Sequence, residues 1–401
     1  MRLSLSRAIT AVGLLTAAAL ALPSAPATAA GAGSWSVPSN AWVTVKGHGY
    51  GHGHGMSQYG AEGAARQGLT FREIAGFYYP GTTWGKIAGR VTVRISADTS
   101  DDLEVLARPG LTLRDGAAKP VVLPDNGATR WRIEVTKTGR NRVSYLAGSW
   151  RRWAELTGEG TLAAPGEPVT LVTPSGNRAY RGRLSALAPV PGSRDRDTVN
   201  NVSLESYLKG VVPLEMPALW SPEAVRAQAV AARTYAAYER DHAPSDRHYQ
   251  LCDTSSCQVY GGYDAEHPAA NDAVTATRRL GLLSGGKPAF TQFSSSSGGW
   301  TSAGSVPYLA ATRDPYDGWA GNPVHSWSLR ITDTRIEQAW PRIGNLTRIA
   351  VTSRDGNGDW GGRVRSLTIT GGKGRIVVSG DTFRSALGLR STWVTFQVAP
   401  R

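Results

Sequence analysis

Residues 207–240 read YLKGVVPLEMPALWSPEAVRAQAVAARTYAAYER, and the chain is organised around them. A proline-fenced turn, Pro213-Leu214-Glu215-Met216-Pro217, leads into a helix. Ser221 is placed to cap that helix, Pro222 suits its first position, and Glu223 suits the positive end of its dipole. Ala224, Ala227 and Ala231 recur at helical spacing, and Val225, Ala229, Ala232 and Ala236 make a second stripe. A helix that is small and apolar on two sides is expected at the centre of the fold. Glu215 is an acid in an apolar turn. Two readings fit it: a carboxylate accepting hydrogen bonds from neighbouring backbone N–H groups, or a desolvated acid able to donate a proton near neutral pH.

Working outward, residues 47–68 read GHGYGHGHGMSQYGAEGAARQG. Glycines alternate with His48, His52 and His54, which allows positive φ and close approach of another group. Three close histidines raise the question of a metal, but no usual ligand partner stands nearby, so a polar loop lining a cleft is the alternative. A short helix should follow, then a second from about Thr70 to just before Pro80-Gly81.

EMPALW followed by EAVRAQAVAARTYA resembles the signature of the SpoIID/LytB family, peptidoglycan lytic transglycosylases first known from sporulation. The resemblance implies that Glu215 is the catalytic acid. GHGHGMSQYGA is similar to the family's GHGxGMSQxGA motif, which borders its active site and in many members lies late in the domain. Here it lies early, which implies a rearranged chain order. CDTSSCQVYGG, the SSGG run and PYLAATRDPYDG extend the resemblance. It implies a cleft of His52, Gln58, Tyr59, Gln228, Arg233, Tyr235, Gln258, Tyr260, Ser296 and Ser297, with Trp220 and Trp300 available to stack on sugar rings. No G-x-S-x-G frame surrounds the serine run, so a serine hydrolase is not supported. No cofactor or resident metal is expected.

Residues 1–30 read as a signal peptide: Arg2 and Arg7, an apolar run to Leu22, and a small-residue cleavage site at Ala27-Thr28-Ala29. An exported chain with two cysteines, Cys252 and Cys257, is expected to form a disulfide. Some members of the family bind zinc here, but Ser256 stands where they carry a histidine.

The net charge is +13 over 401 residues. For a secreted chain it suggests anionic partners such as wall polymers; the family resemblance implies peptidoglycan glycan strands as substrate and, in the alternative of a non-catalytic cell-wall-binding enhancer, a wall amidase as partner. The absence of a Lys/Arg-dense block argues against nucleic acid.

The segments expected are a signal peptide (1–30), the glycine/histidine-loop part of the SpoIID-like domain (31–89), a β-rich domain (90–200) and the catalytic core (201–401). In the β-rich part RVTVRISA, LEVLA, TRWRIEVTK, NRVSYLA and PVTLVT alternate apolar and polar residues. VPGSRDRDTVNN (190–201) reads as a linker or loop. The fold class expected is α+β: a mixed sheet packed on the central small-residue helix, with an additional antiparallel β-domain.

Overall fold

The computed structural model describes residues 33–401, and the expected signal peptide lies outside them. The fold is α+β. The central helix runs Pro222–His242, and twelve of its residues, including Ala224, Ala227, Gln228, Ala231 and Arg233, are buried. Helices Gln58–Arg66, Phe71–Tyr78 and Pro268–Ala276 and strand Leu280–Ser284 pack around it, close because alanine holds them no further away. Pro222 takes the first turn as expected, but the Ser221 side chain makes no cap bond. The start is instead tied from outside: Glu62 accepts the Ser221 N–H at 2.8 Å, and Glu223 accepts the Phe71 N–H at 2.7 Å. The Phe71–Tyr78 helix carries a full capping box between Thr70 and Glu73.

The β-rich segment forms two sheets. One has six strands, with Ser149–Glu155 at its edge, followed by Asn141–Ala147, Arg130–Val135, Leu103–Leu106, Val169–Thr173 and Gly176–Tyr180. The other is a mixed seven-stranded sheet in the order Leu251–Cys252, Arg90–Arg94, Asp197–Ser203, Arg183–Leu187, Gly160–Ala163, Thr112–Asp115, Val121–Val122. Only its 251–252 pairing is parallel. Both sheets contribute to one hydrophobic core with the central helix. The second half of the expected linker is therefore an interior strand. Its polar Asn200 is fully buried, donating to the Arg181 and Arg183 carbonyls and accepting from the Tyr260 hydroxyl.

A second core joins the two ends of the described chain. Strand Ala41–His48 lies between Ser326–Thr332 and Val394–Pro400, antiparallel to both. Ala41, Val43 and Val45 are buried while the alternate residues are not, the period of a half-covered strand. Gly33–Ser36, Leu346–Arg354, Val364–Gly371 and Gly374–Ser379 form a four-stranded sheet beside it. The strand ending at His48 delivers the glycine–histidine loop against residues 293–298. Tyr50 and Ser296 exchange backbone hydrogen bonds at 2.9 and 3.0 Å. An early motif thus reaches the later ones through the sheet, which is how the rearranged order is accommodated.

Candidate functional site

Glu215 ends the short helix Val212–Glu215 and is partly buried. Its Oε1 accepts the Val259 N–H at 2.9 Å. Burial pushes its carboxyl above the ordinary value, against the hydrogen bonds from Val259 and Gln58, which favour the charged form. Both readings of the turn therefore meet in one group: the carboxyl is held by a backbone donor and is also desolvated.

Several expected site residues surround this carboxyl. Gln58 hydrogen-bonds it. Gln228, fully buried on the central helix, accepts from Gln58 Nε2 at 3.5 Å, and its own Nε2 has no partner among the described residues. The phenols of Tyr207 and Tyr235 are both pushed up, first by burial and in part by the Glu215 charge. Gln258 and Tyr260 flank the Val259 donor and are nearly inaccessible. Gln258 accepts from Tyr207 and donates to the Ala232 carbonyl, and Tyr260 donates to Asn200. They fix the backbone that holds Glu215. Tyr59 packs on Trp220, ring centres 4.8 Å apart, leaving a partly exposed aromatic pair beside the turn.

Other expected residues lie elsewhere. Arg233 is completely buried. It pairs with Glu205 at 2.8 and 3.0 Å and donates to the Val274, Leu280 and Ala229 carbonyls and to Thr277. Every arm of the fork is used to bind elements to the central helix, so none is left to reach a sugar. Ser296 and Ser297 are also buried, their hydroxyls given to Asp317 and Asp314. His52 is driven down to about 3 by burial, with the neighbouring His54 and Arg363 adding to the effect. It lines a cavity of about 280 Å³ with Arg363, Asp355 and Asp381, on the side of the second core. Trp300 lines another, of about 270 Å³, with His48, His325 and Trp393.

The hub that locks these loops is Asp317, a residue not singled out from the sequence. Its fully buried carboxylate accepts from Ser57 at 2.6 Å, Ser296 at 2.8 Å, the Ser297 and Gly298 N–H groups at 3.0 Å, Asn322 at 3.1 Å and His325 at 2.8 Å. Gly49 and Gly298 are needed where the loops cross. Both have positive φ, and a Cβ on Gly49 would stand 2.7 Å from the Ser296 carbonyl oxygen. The DPYDG turn that carries Asp317 was a visible signal, but not its role.

Cys252 and Cys257 are joined in a disulfide, Cα atoms 5.6 Å apart. His248, four residues before Cys252, bonds Asp197 at 2.7 Å and does not turn to the cysteines.

Residues 193–283 match the family model SpoIID, Stage II sporulation protein. The chain carries a SpoIID domain. The matched residues include Glu215, Gln228, Val259 and both cysteines; the glycine–histidine loop and Ser296–Ser297 lie outside them. An Amidase enhancer of Bacillus subtilis is 43% identical over 136 residues, 32% of this chain and 17% of its own length. An uncharacterized protein of Brachyspira hyodysenteriae is 36% identical over 126 residues, 30% of this chain and 34% of its own. Stage II sporulation protein D of Bacillus subtilis is 29% identical over 218 residues, 48% of this chain and 60% of its own. The chain thus spans less than two thirds of each of these relatives. Among the described residues no helix is long and apolar enough to cross a membrane.

Proposed function

We propose that this protein is a secreted lytic transglycosylase acting on the peptidoglycan glycan strand, with Glu215 as its acid and then its base. The observation that carries the proposal is the state of that carboxyl: desolvated, raised in pKa, and held by Val259 and Gln58. A proton donor working near neutral pH needs that environment.

Hydrolysis of a glycosidic bond normally uses two carboxylates. The rivals to Glu215 are otherwise engaged. Glu205 is paired with Arg233, Asp253 accepts the Ser96 N–H, and Asp314 is sealed in with Tyr78 and Ser297. With these three acids engaged, intramolecular transfer is favoured. Glu215 gives its proton to the oxygen linking the two sugars as the C1–O bond breaks. The resulting carboxylate takes the proton of the C6 hydroxyl, whose oxygen closes on C1 to form the 1,6-anhydro ring. The Glu215 carboxyl ends protonated, ready for the next bond. The Tyr59–Trp220 pair offers an apolar face for a sugar ring, and Gln58 both steadies Glu215 and offers an amide for an acetamido group.

The second reading is a wall-binding enhancer of an amidase that cuts nothing itself. The 43% identity to the Amidase enhancer favours it. The deciding experiment is mass spectrometry of soluble products from denuded glycan strands. Anhydro-muramic ends that disappear in Glu215→Gln support the transglycosylase. Reducing ends would indicate hydrolysis and a second carboxylate. No cleavage, with stimulation of an added amidase, would select the enhancer.

A further inference from the structure

We infer that the open face of the seven-stranded sheet is a binding groove for a phosphodiester polymer, of the polyol-phosphate kind found in cell walls. The inference is independent of Glu215, because the groove-forming strands lie mostly outside the matched SpoIID residues.

One face of this sheet is covered: Val91, Leu113, Leu162, Leu184 and Val202 are buried in the first core. The alternate residues build the other face. Strand Gly160–Ala163, between Arg183–Leu187 and Thr112–Asp115, contributes only the small Thr161 and Ala163. Ala163 lies opposite Arg183 on one neighbour, and Thr161 lies opposite Arg114 on the other. Long side chains flank a floor of small ones. The result is a trough of about 460 Å³ lined by Arg90, Arg114, Arg181 and Arg183.

The trough is rich in guanidinium and poor in carboxylate. On the same β-rich segment Arg94 pairs with Asp197, Arg130 with Glu104 and Arg142 with Glu134. Within the trough only Arg181 has a carboxylate partner, Glu266. Arg90 donates to the neutral Asn201 side chain and carbonyl. Arg114 and Arg183 are half-buried, and their guanidinium groups make no hydrogen bond or ion pair with a described residue. The one acid on the wall, Glu167, is 3.8 Å from Arg108. Arg90 is held below its usual pKa by burial and then by the charge of Arg183, so these guanidiniums repel one another. An anion would relieve that repulsion. Guanidinium forks suit phosphate oxygens, and several in a row suit a chain of them. No aromatic ring lines the trough, so bases would have nothing to stack on.

The test is calorimetric titration of the whole protein with a synthetic glycerol-phosphate oligomer, at low and high salt. Inorganic phosphate and a single-stranded oligonucleotide of equal charge serve as comparators. Binding that weakens with salt is expected. It should fall about tenfold or more in Arg114→Gln/Arg183→Gln. Those side chains hold nothing else, so thermal unfolding should not change. Thr161→Glu, which places a negative charge on the floor, should abolish binding by a separate route. The inference is overturned if the double variant and Thr161→Glu both bind as tightly as the parent. It is also overturned if free phosphate or the oligonucleotide binds as tightly as the oligomer, or if the oligomer does not bind.

Discussion

Replacing Asp317 by Asn should unfasten the junction between the two cores. The carboxylate takes four fixed donors, the Ser297 and Gly298 N–H groups, Asn322 and His325, as well as the hydroxyls of Ser57 and Ser296. The hydroxyls can rotate away from a new NH2 group. The fixed donors cannot, and either orientation of the amide sets its NH2 against at least one of them while the charge is lost to all. Two such losses in a buried site cost about 3–5 kcal/mol. In a chain of 401 residues, at about 2 cal/mol/K of unfolding entropy per residue, that lowers the melting temperature by roughly 4–6 °C. The loss should depend on pH. Burial pushes Asp317 up, but hydrogen bonds from His325, Ser57 and Ser296 outweigh it and hold the carboxyl below its usual value. Its contribution to stability is therefore present above the ordinary carboxylate range and fades as pH falls through the depressed value. His325 is raised by its bond to Asp317, so its contribution is complete below 6.5 and is lost as pH rises through the raised value. Asp314, raised to about 6 by burial and then by the Asp317 charge, costs more to ionise as pH climbs, and the variant is relieved of part of that cost. Both effects make the variant's deficit larger in mild acid than at alkaline pH. Thermal unfolding of the two proteins across pH measures it. A deficit under about 2 °C, or one independent of pH, would refute the account of this hub.

Three further outcomes are expected. In Gln58→Ala, a hydrogen bond that favours ionised Glu215 is lost, so the alkaline limb of glycan cleavage should move to higher pH, read from kcat/KM against pH. Arg233→Met strands the partly buried Glu205 and removes the ties to three carbonyls, costing about 3–5 kcal/mol of stability while KM for glycan stays unchanged in the folded fraction; a raised KM with normal melting would return Arg233 to the substrate site. Replacing both cysteines by Ser opens a short loop and should cost about 2 kcal/mol, seen as a lower melting temperature, with chelators changing neither protein.

The periodic parts of the fold were legible. The alanine stripes of 222–242 and the alternation in 41–48 describe burial that any neighbouring surface would impose. What escaped depended on partners far away in the chain. DTVNN reads as a loop because Asp and Asn favour turns, yet Asn200 is swallowed whole once Tyr260 and two carbonyls meet its amide. The family resemblance places Arg233 in the cleft; the partner that occupies it, Glu205, stands 28 residues earlier, beyond any local pattern. Around Glu215, the sequence offered the acid and its apolar turn. The family resemblance places Gln58 in the same cleft but gives no sign of its bond to Glu215, since no local pattern links residues 58 and 215. Asp317 was invisible for the same reason: its value arises where three separate loops converge.

The strand at 41–48 has its two neighbours near the far end of the chain, with Ala41 opposite Pro400. Such a sheet cannot close until residues 394–400 have been made. Until the last strand emerges, 41–48 lacks its outer partner, and the loop after His48 has no settled frame from which to present Gln58 to Glu215. Ordering that loop is therefore a late event, dependent on very long-range pairing and correspondingly slow. A chain lacking residues 394–400 would leave Gln58 without the frame that sets it beside Glu215.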